Sequence, residues 1–230
     1  MIEDPPLLTI RRNFPRPSPD IVAAFAGAMT GHVVDAMGGR GCLDHRIKPI
    51  DPARSFLVGV AVTCHCGPAD NLALFGAVDA ARPGDVLVAA TDEFTATSIT
   101  GDLLLGMAKN RGVAGFVTDG MVRDLIGVLG VGMPVFCAGL TANSPARNGP
   151  GTVGLPIVLG GVTIASGDIL VGDRDGVVVI PQARAAAVLK QLEAVRAAEA
   201  TLEAKVKAGL EVPDFVKDVL ASNRVREVSE

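Results

Sequence analysis

Runs of consecutive apolar residues alternate along much of this chain with segments whose apolar positions recur every three or four residues. Residues 55–66, 86–90, 113–118 and 134–138 are runs of the first kind, as expected of strands covered on both faces. Between them, residues 71–81 and 100–111 carry the helical period, and a short helix is expected after Arg123. The turn Arg82-Pro83-Gly84-Asp85 closes the first of these helices. Upstream, Ser18 reads as an N-cap with Pro19 at the first helical position, opening a helix over 18–28. A second helix over 30–37 should stop at Gly38-Gly39, and 47–50 reads as a short strand. This alternation with short connections predicts parallel neighbouring strands.

Beyond residue 138 the rhythm changes. Residues 139–156 are rich in Gly, Pro, Asn and Ser and are expected to form a long loop. Short strands at 156–159, 162–164, 168–171 and 176–180 follow, separated by tight turns, as a small antiparallel layer closing the parallel core. Pro181 opens a long amphipathic helix to about Lys207, its polar face in solvent or against a partner subunit. The expected organisation is an extended arm over 1–17, one α/β domain over 18–210 that includes the long C-terminal helix, and a tail over 211–230.

Composition narrows the function. A chain of 230 residues, 49% hydrophobic and 20% charged, can bury one well-formed core. The net charge of −4 and the lack of Trp and Tyr leave no footprint for nucleic acid. Apolar stretches are broken before they could span a bilayer, so no membrane is expected. Four cysteines and no secretory signal point to the cytoplasm. Cys64-His65-Cys66 has a metal-like look, but it sits in a predicted strand with no second cysteine pair, which favours small buried thiols. His32, His45 and His65 form no spaced ligand set. Asp173-Arg174-Asp175-Gly176 resembles the start of a calcium loop, yet a strand follows at once, so it reads as a turn.

The chemistry concentrates where two strand-like runs give way to glycine and a helix: Thr100-Gly101-Asp102-Leu103-Leu104 and Asp119-Gly120-Met121-Val122-Arg123-Asp124. Open α/β sheets bind ligands at such strand ends. Asp124 can anchor a magnesium ion that keeps its waters, or it is a carboxylate favoured by a helix dipole. Arg123 can clamp a carboxylate or stabilise an enolate oxygen, or it is a surface ion pair. Asp102 can hold a proton-carrying water, or it is a first-turn helix acid. The N–H groups of Leu103 and Leu104, behind Gly101, could receive a substrate carboxylate. A Schiff-base aldolase needs a buried lysine; Lys48 and Lys109 both have blander roles.

The set Asp102, twenty residues, Arg123-Asp124, in this strand and helix order, resembles the family of 4-hydroxy-4-methyl-2-oxoglutarate and 4-carboxy-4-hydroxy-2-oxoadipate aldolases. That family includes the regulator of ribonuclease activity A and proteins once labelled menaquinone methyltransferases. Val34-Asp35-Ala36, Ile47-Lys48-Pro49, Asp70-Asn71 and Pro83-Gly84-Asp85-Val86 add to the resemblance, which covers about residues 20–210. It implies a swivelling β/β/α fold and homotrimers or homohexamers with active sites between subunits. It also implies a Mg2+ or Mn2+ ion at Asp124, Arg123 on the pyruvyl part of a 2-oxo acid, and a proton-shuttling water at Asp102. A glutamate of a neighbouring subunit's long helix is expected near the metal waters, Glu199 first and Glu203 second. The implied activity is a class II pyruvate aldolase with oxaloacetate decarboxylase side activity. The alternative is a non-catalytic oligomer that regulates a ribonuclease E-type enzyme. The methyltransferase label finds no Gly-rich nucleoside-binding motif here.

Overall fold

The computed structural model of the chain describes residues 4–228, so residues 1–3 of the expected arm and 229–230 of the expected tail lie outside the described residues. Two compact units are present, one up to Leu192 and one from Glu193 onward. The first contains β1 (Leu8–Ile10), α1 (Pro19–Ala23), α2 (Thr30–Ala36), β2 (Lys48–Pro49), β3 (Leu57–His65), α3 (Leu72–Ala80), β4 (Asp85–Ala90), β5 (Ser98–Thr100) and α4 (Asp102–Asn110). It continues through β6 (Gly115–Thr118), β7 (Met121–Val122), α5 (Leu125–Val131), β8 (Val135–Cys137), β9 (Gly139–Leu140) and β10 (Gly151–Val153). Then come β11 (Ile157–Leu159), β12 (Val162–Ile164), β13 (Ile169–Asp173), β14 (Gly176–Ile180) and the first turns of α6 (Ala185–Lys207). The second unit holds the rest of α6 and α7 (Asp214–Leu220).

Strands β3, β4, β6 and β8 pair in parallel, with α3, α4 and α5 on the crossovers between them. The length of β3 explains the branching of the sheet. One edge of it pairs with β4, while the other carries β13 beside its first half and β10 at its end, both antiparallel. Its side chains are buried on both faces because each face has its own cover. Leu74 of α3 and Leu105 of α4 pack with Phe116 in one cluster. On the other face, Val88, Val117 and Phe136 meet Ile157, Leu159 and Ile164 of the β11–β12 hairpin. Each such side chain contributes about 1.5–3 kcal/mol by leaving water. The hairpin, the sheet and the helices make three layers, the β/β/α arrangement expected, with a long C-terminal helix.

The structure departs from the reading of the chain in several places. Of the four short strands expected as a separate layer, only β11 and β12 form one; β13 and β14 join the main sheet. The loop expected over 139–156 contains β9 and β10. The α-helix from Ser18 ends at Ala23 and continues as three-residue turns to Ala28, stopped by Gly27 at φ +70°. The arm is tied down: β1 pairs with β10, and Arg16 forms a two-pronged pair with the buried Asp85 carboxylate at 2.5 and 2.9 Å. The expected tail contains α7. Cys64 and Cys66 are buried, as the strand reading required. Asp173 belongs to a turn and a cap, accepting bonds from the Thr30 and Asp175 backbone N–H groups.

Candidate active site

A small parallel sheet, β5-β7-β9, brings the two halves of the motif together. Thr100 lies opposite Val122, and the Arg123 N–H donates to the Thr100 carbonyl at 3.0 Å. Thus α4 and α5 begin side by side, with Gly101-Asp102 at the start of one and Arg123-Asp124 at the start of the other.

Two glycines allow the acids to nest there. A Cβ added at Gly101 would stand 2.2 Å from Asp124 Oδ2 and 3.2 Å from Arg123 Cγ. One added at Gly127 of α5 would stand 2.1 Å from Asp102 Oδ2. Each carboxylate therefore packs against the bare backbone of the opposite helix start. Asp124 itself has φ 59° and ψ 45°, a left-handed conformation that costs a non-glycine residue about 1–3 kcal/mol and persists where surroundings impose it. Here its carbonyl accepts the Val128 N–H at 2.9 Å, and Arg123 is pinned to Thr100.

Arg123 is oriented from two sides. Its Nε lies 3.2 Å from Asp124 Oδ2, and its Nη1 donates to Ser144 Oγ. Asp102 Oδ1 accepts the Leu103 N–H at 2.7 Å. The expectation that this N–H stands open for a substrate carboxylate is therefore not met, because the acid one residue earlier satisfies it. Leu104 lines the same cavity from the same first turn.

That cavity has a volume of about 340 Å³ and draws Asp102, Arg123 and Asp124 onto one surface. Leu103, Leu104, Met107 and Phe75 supply apolar wall; Asn71, Ser144 and Arg147 supply polar groups not foreseen from the sequence. Arg147 sits over the Phe75 ring, 5.5 Å from its centroid, and among the described residues no carboxylate pairs with it. Its loop is held by Asp70 Oδ2, which accepts the Asn148 and Gly149 N–H groups. Asn71 occupies the N-cap of α3 without capping it, since Asp70 Oδ1 takes the Leu72 N–H at 2.8 Å. Its amide instead donates to the Ile99 carbonyl, leaving Oδ1 buried with no partner among the described residues. The only sequence signal for these groups was the phrase Asp70-Asn71 and an arginine inside a featureless loop.

Glu199 lies exposed on α6 within the second unit, where Glu203 pairs with Lys207 at 2.5 Å. Among the described residues, no three acids, histidines or cysteines cluster as a metal cage. A cation at Asp124 would thus rely on water and substrate oxygens, which suits magnesium. The lysines among the described residues, Lys48 and Lys109 included, are all exposed. Burial raises the carboxyl of Asp119 above its ordinary range and pushes the Cys137 thiol up to about 11. Two of the cavity's apolar side chains are open to solvent: Leu103 is 77% exposed and Met107 is exposed as well.

Residues 30–179 match the model of the RraA-like family described as Aldolase/RraA. A protein of Halalkalibacterium halodurans named "Putative 4-hydroxy-4-methyl-2-oxoglutarate aldolase" is 40% identical over 172 residues, 75% of this chain and 81% of that one. Among solved structures, an uncharacterized protein of Pseudomonas syringae pv. tomato superposes with a TM-score of 0.74 at 26% identity, covering 86% of this chain and 96% of its own. Streptomyces coelicolor RraAS2, described as an unusual member of the RNase ES inhibitor RraA protein family, gives 0.73 at 26% identity, covering 83% and 100%.

Proposed function

From the premise that the chain belongs to the RraA-like Aldolase/RraA family, we propose that it is a divalent-metal-dependent lyase. Its substrates are 4-hydroxy-2-oxo acids such as 4-hydroxy-4-methyl-2-oxoglutarate or 4-carboxy-4-hydroxy-2-oxoadipate, cleaved to pyruvate and a second oxo acid. Oxaloacetate decarboxylation is a side activity. The observation that carries this reading is one cavity lined by Asp102, Arg123, Asp124 and Arg147. Two guanidiniums on its walls match a substrate with a carboxylate at each end.

Asp124 fits a hydrated Mg2+ or Mn2+ ion, because its carboxylate is half-exposed in the cavity and, among the described residues, Arg123 alone pairs with it. Such a cation would supply an electron sink for the 2-oxo acid. Arg123, held by Asp124 and Ser144, adds fixed positive charge where the enolate oxygen develops. Arg147 orients the distal carboxylate through a cation already stacked on Phe75. Cleavage passes the C4 hydroxyl proton to a water acting as base, turns C4 into the carbonyl of the departing oxo acid as the C3–C4 bond breaks, and leaves the electron pair in the enolate of pyruvate. Asp102, with Oδ1 engaged by Leu103, has Oδ2 left to hold the water that returns a proton to C3. Decarboxylation of oxaloacetate passes through the same enolate, so the same groups serve both reactions.

The cavity's exposed apolar side chains support a homo-oligomer, trimer or hexamer, in which a neighbouring copy completes the site and brings Glu199 toward the metal waters. The competing reading is an oligomeric regulator of a ribonuclease E-type enzyme, favoured by the similarity to RraAS2. That role needs no cation-lined cavity. Pyruvate release in a lactate dehydrogenase couple separates the two. Turnover of the hydroxy-oxo acids and oxaloacetate with Mg2+ should disappear with EDTA and in Asp124→Ala. Turnover that survives both would sink the metal mechanism. Silence of the wild type on all substrates, with ribonuclease inhibition present, would favour the regulator.

A further inference from the structure

We propose that Asp119 is a positioning residue that joins the two halves of the site. It lies outside the cavity, 5% exposed, at the end of β6. Its Oδ1 accepts the N–H and the hydroxyl of Thr91, at 2.7 and 2.9 Å, and its Oδ2 accepts the Glu93 N–H at 3.1 Å. Thr91 follows β4 directly, so one carboxylate ties the ends of two central strands.

The turn it ties is strained. Asp92 and Glu93 both have φ 57°, a conformation that non-glycine residues hold only where other contacts impose it. The three bonds from Asp119 are such contacts. The approach is also close: a Cβ at Gly120 would stand 2.8 Å from both Thr91 Cγ2 and Thr91 Oγ1, so glycine there lets Thr91 reach the carboxylate.

From this joint the chain departs in two directions. The turn 91–94 leads into β5 and then Gly101-Asp102. Asp119-Gly120 leads into β7 and then Arg123-Asp124. The two strands pair again at their far ends, where Thr100 accepts the Arg123 N–H. A closed frame results, with Asp119 at one corner and the acids at the other. Loosening the corner lets the starts of α4 and α5 shift against each other, and small displacements of reacting groups cost rate heavily.

The inference rests on the lyase reading for its kinetic arm only. The first readout is amide hydrogen exchange on the full chain, wild type against Asp119→Asn, which keeps the shape but sets an N–H2 against the Glu93 N–H. Segments 98–104 and 121–126 should lose protection together. Thr91→Val removes one donor at nearly constant volume and should produce a smaller shift in the same segments, which keeps the test valid if the Asn variant fails to fold. The second readout is the split of kinetic constants: kcat should fall about tenfold or more while KM stays within about threefold. Loosening confined to 91–95, or unchanged kcat in a folded variant, would overturn the joint. A wild type that releases no pyruvate would remove the lyase reading while the exchange result still decides the frame.

Discussion

Replacing Gly101 by alanine tests the nesting of the acids, and the structure sets its magnitude. Gly101 has φ −143° and ψ −167°, which any L residue adopts, so backbone strain does not enter. The new methyl would stand 2.2 Å from Asp124 Oδ2, whereas non-bonded heavy atoms prefer about 3.5 Å or more. The carboxylate must therefore retreat by about 1 Å, and a displacement of that size at a reacting centre costs about a hundredfold in rate. That corresponds to roughly 2.7 kcal/mol of transition-state stabilisation. The fold should barely notice, because the Asp124 side chain is half-exposed and can move into solvent at the cost of its pair with Arg123, and glycine and alanine at an N-cap differ by about 1 kcal/mol or less. Gly106 in the same helix is the control, since nothing lies within 4 Å of its added Cβ; alanine there should gain about 0.5–1 kcal/mol through helix propensity. Pyruvate release, Mn2+ affinity and urea denaturation on the three proteins form the assay. Gly101→Ala with wild-type turnover and metal affinity would refute the argument that Asp124 must occupy that spot.

Arg16→Met should cost about 3 kcal/mol in urea denaturation, because Asp85 is left buried with only the Arg82 N–H among its described side-chain partners. Adding Asp85→Leu should recover much of that, and a loss below about 1 kcal/mol would contradict a buried pair. Thiol labelling of the native protein should modify Cys42, the exposed one, and spare Cys64, Cys66 and Cys137 until denaturation. Since burial raises the Cys137 thiol from 9.0 to about 11, the unfolded chain loses that proton first as pH rises. Stability linked to it is intact below about pH 9 and is lost toward pH 11, so Cys137→Ala should show a shallower decline over that window.

Two kinds of information decided how much of this was legible in the chain. Apolar runs such as 55–66 and 86–90, too short and too rich in β-branched residues for buried helices, read as strands shielded on both sides, and the helical crossovers between them favour parallel neighbours. The helix starts at Ser18 and Thr30 and the stop at Gly38-Gly39 follow from local backbone chemistry. By contrast, β5, β7 and β9 are two or three residues long and carry no rhythm of their own. They exist because each finds a partner strand, and those partners are remote in sequence. Arg147 and Ser144 were invisible for the same reason: they sit in a loop without periodicity, held in place by Asp70.

The acids and the arginine of the site were readable as residue types at a spacing, together with the family they resemble. Their arrangement was not. The chain by itself determined the alternation of strands and helices and its parallel neighbours, because those depend on local propensity and on where apolar side chains can hide; the layering and the roles of Asp102, Arg123 and Asp124 came from the family resemblance. Only tertiary structure decided that Asp102 binds its own neighbour's N–H and that Asp124 nests on Gly101 in a left-handed turn. It also set Arg147 facing the same cavity and Asp119 bracing the frame behind it. Apart from the Asp102–Leu103 bond, which links neighbours but depends on the side-chain rotamer, those outcomes depend on contacts between segments far apart in the chain, which local pattern does not encode.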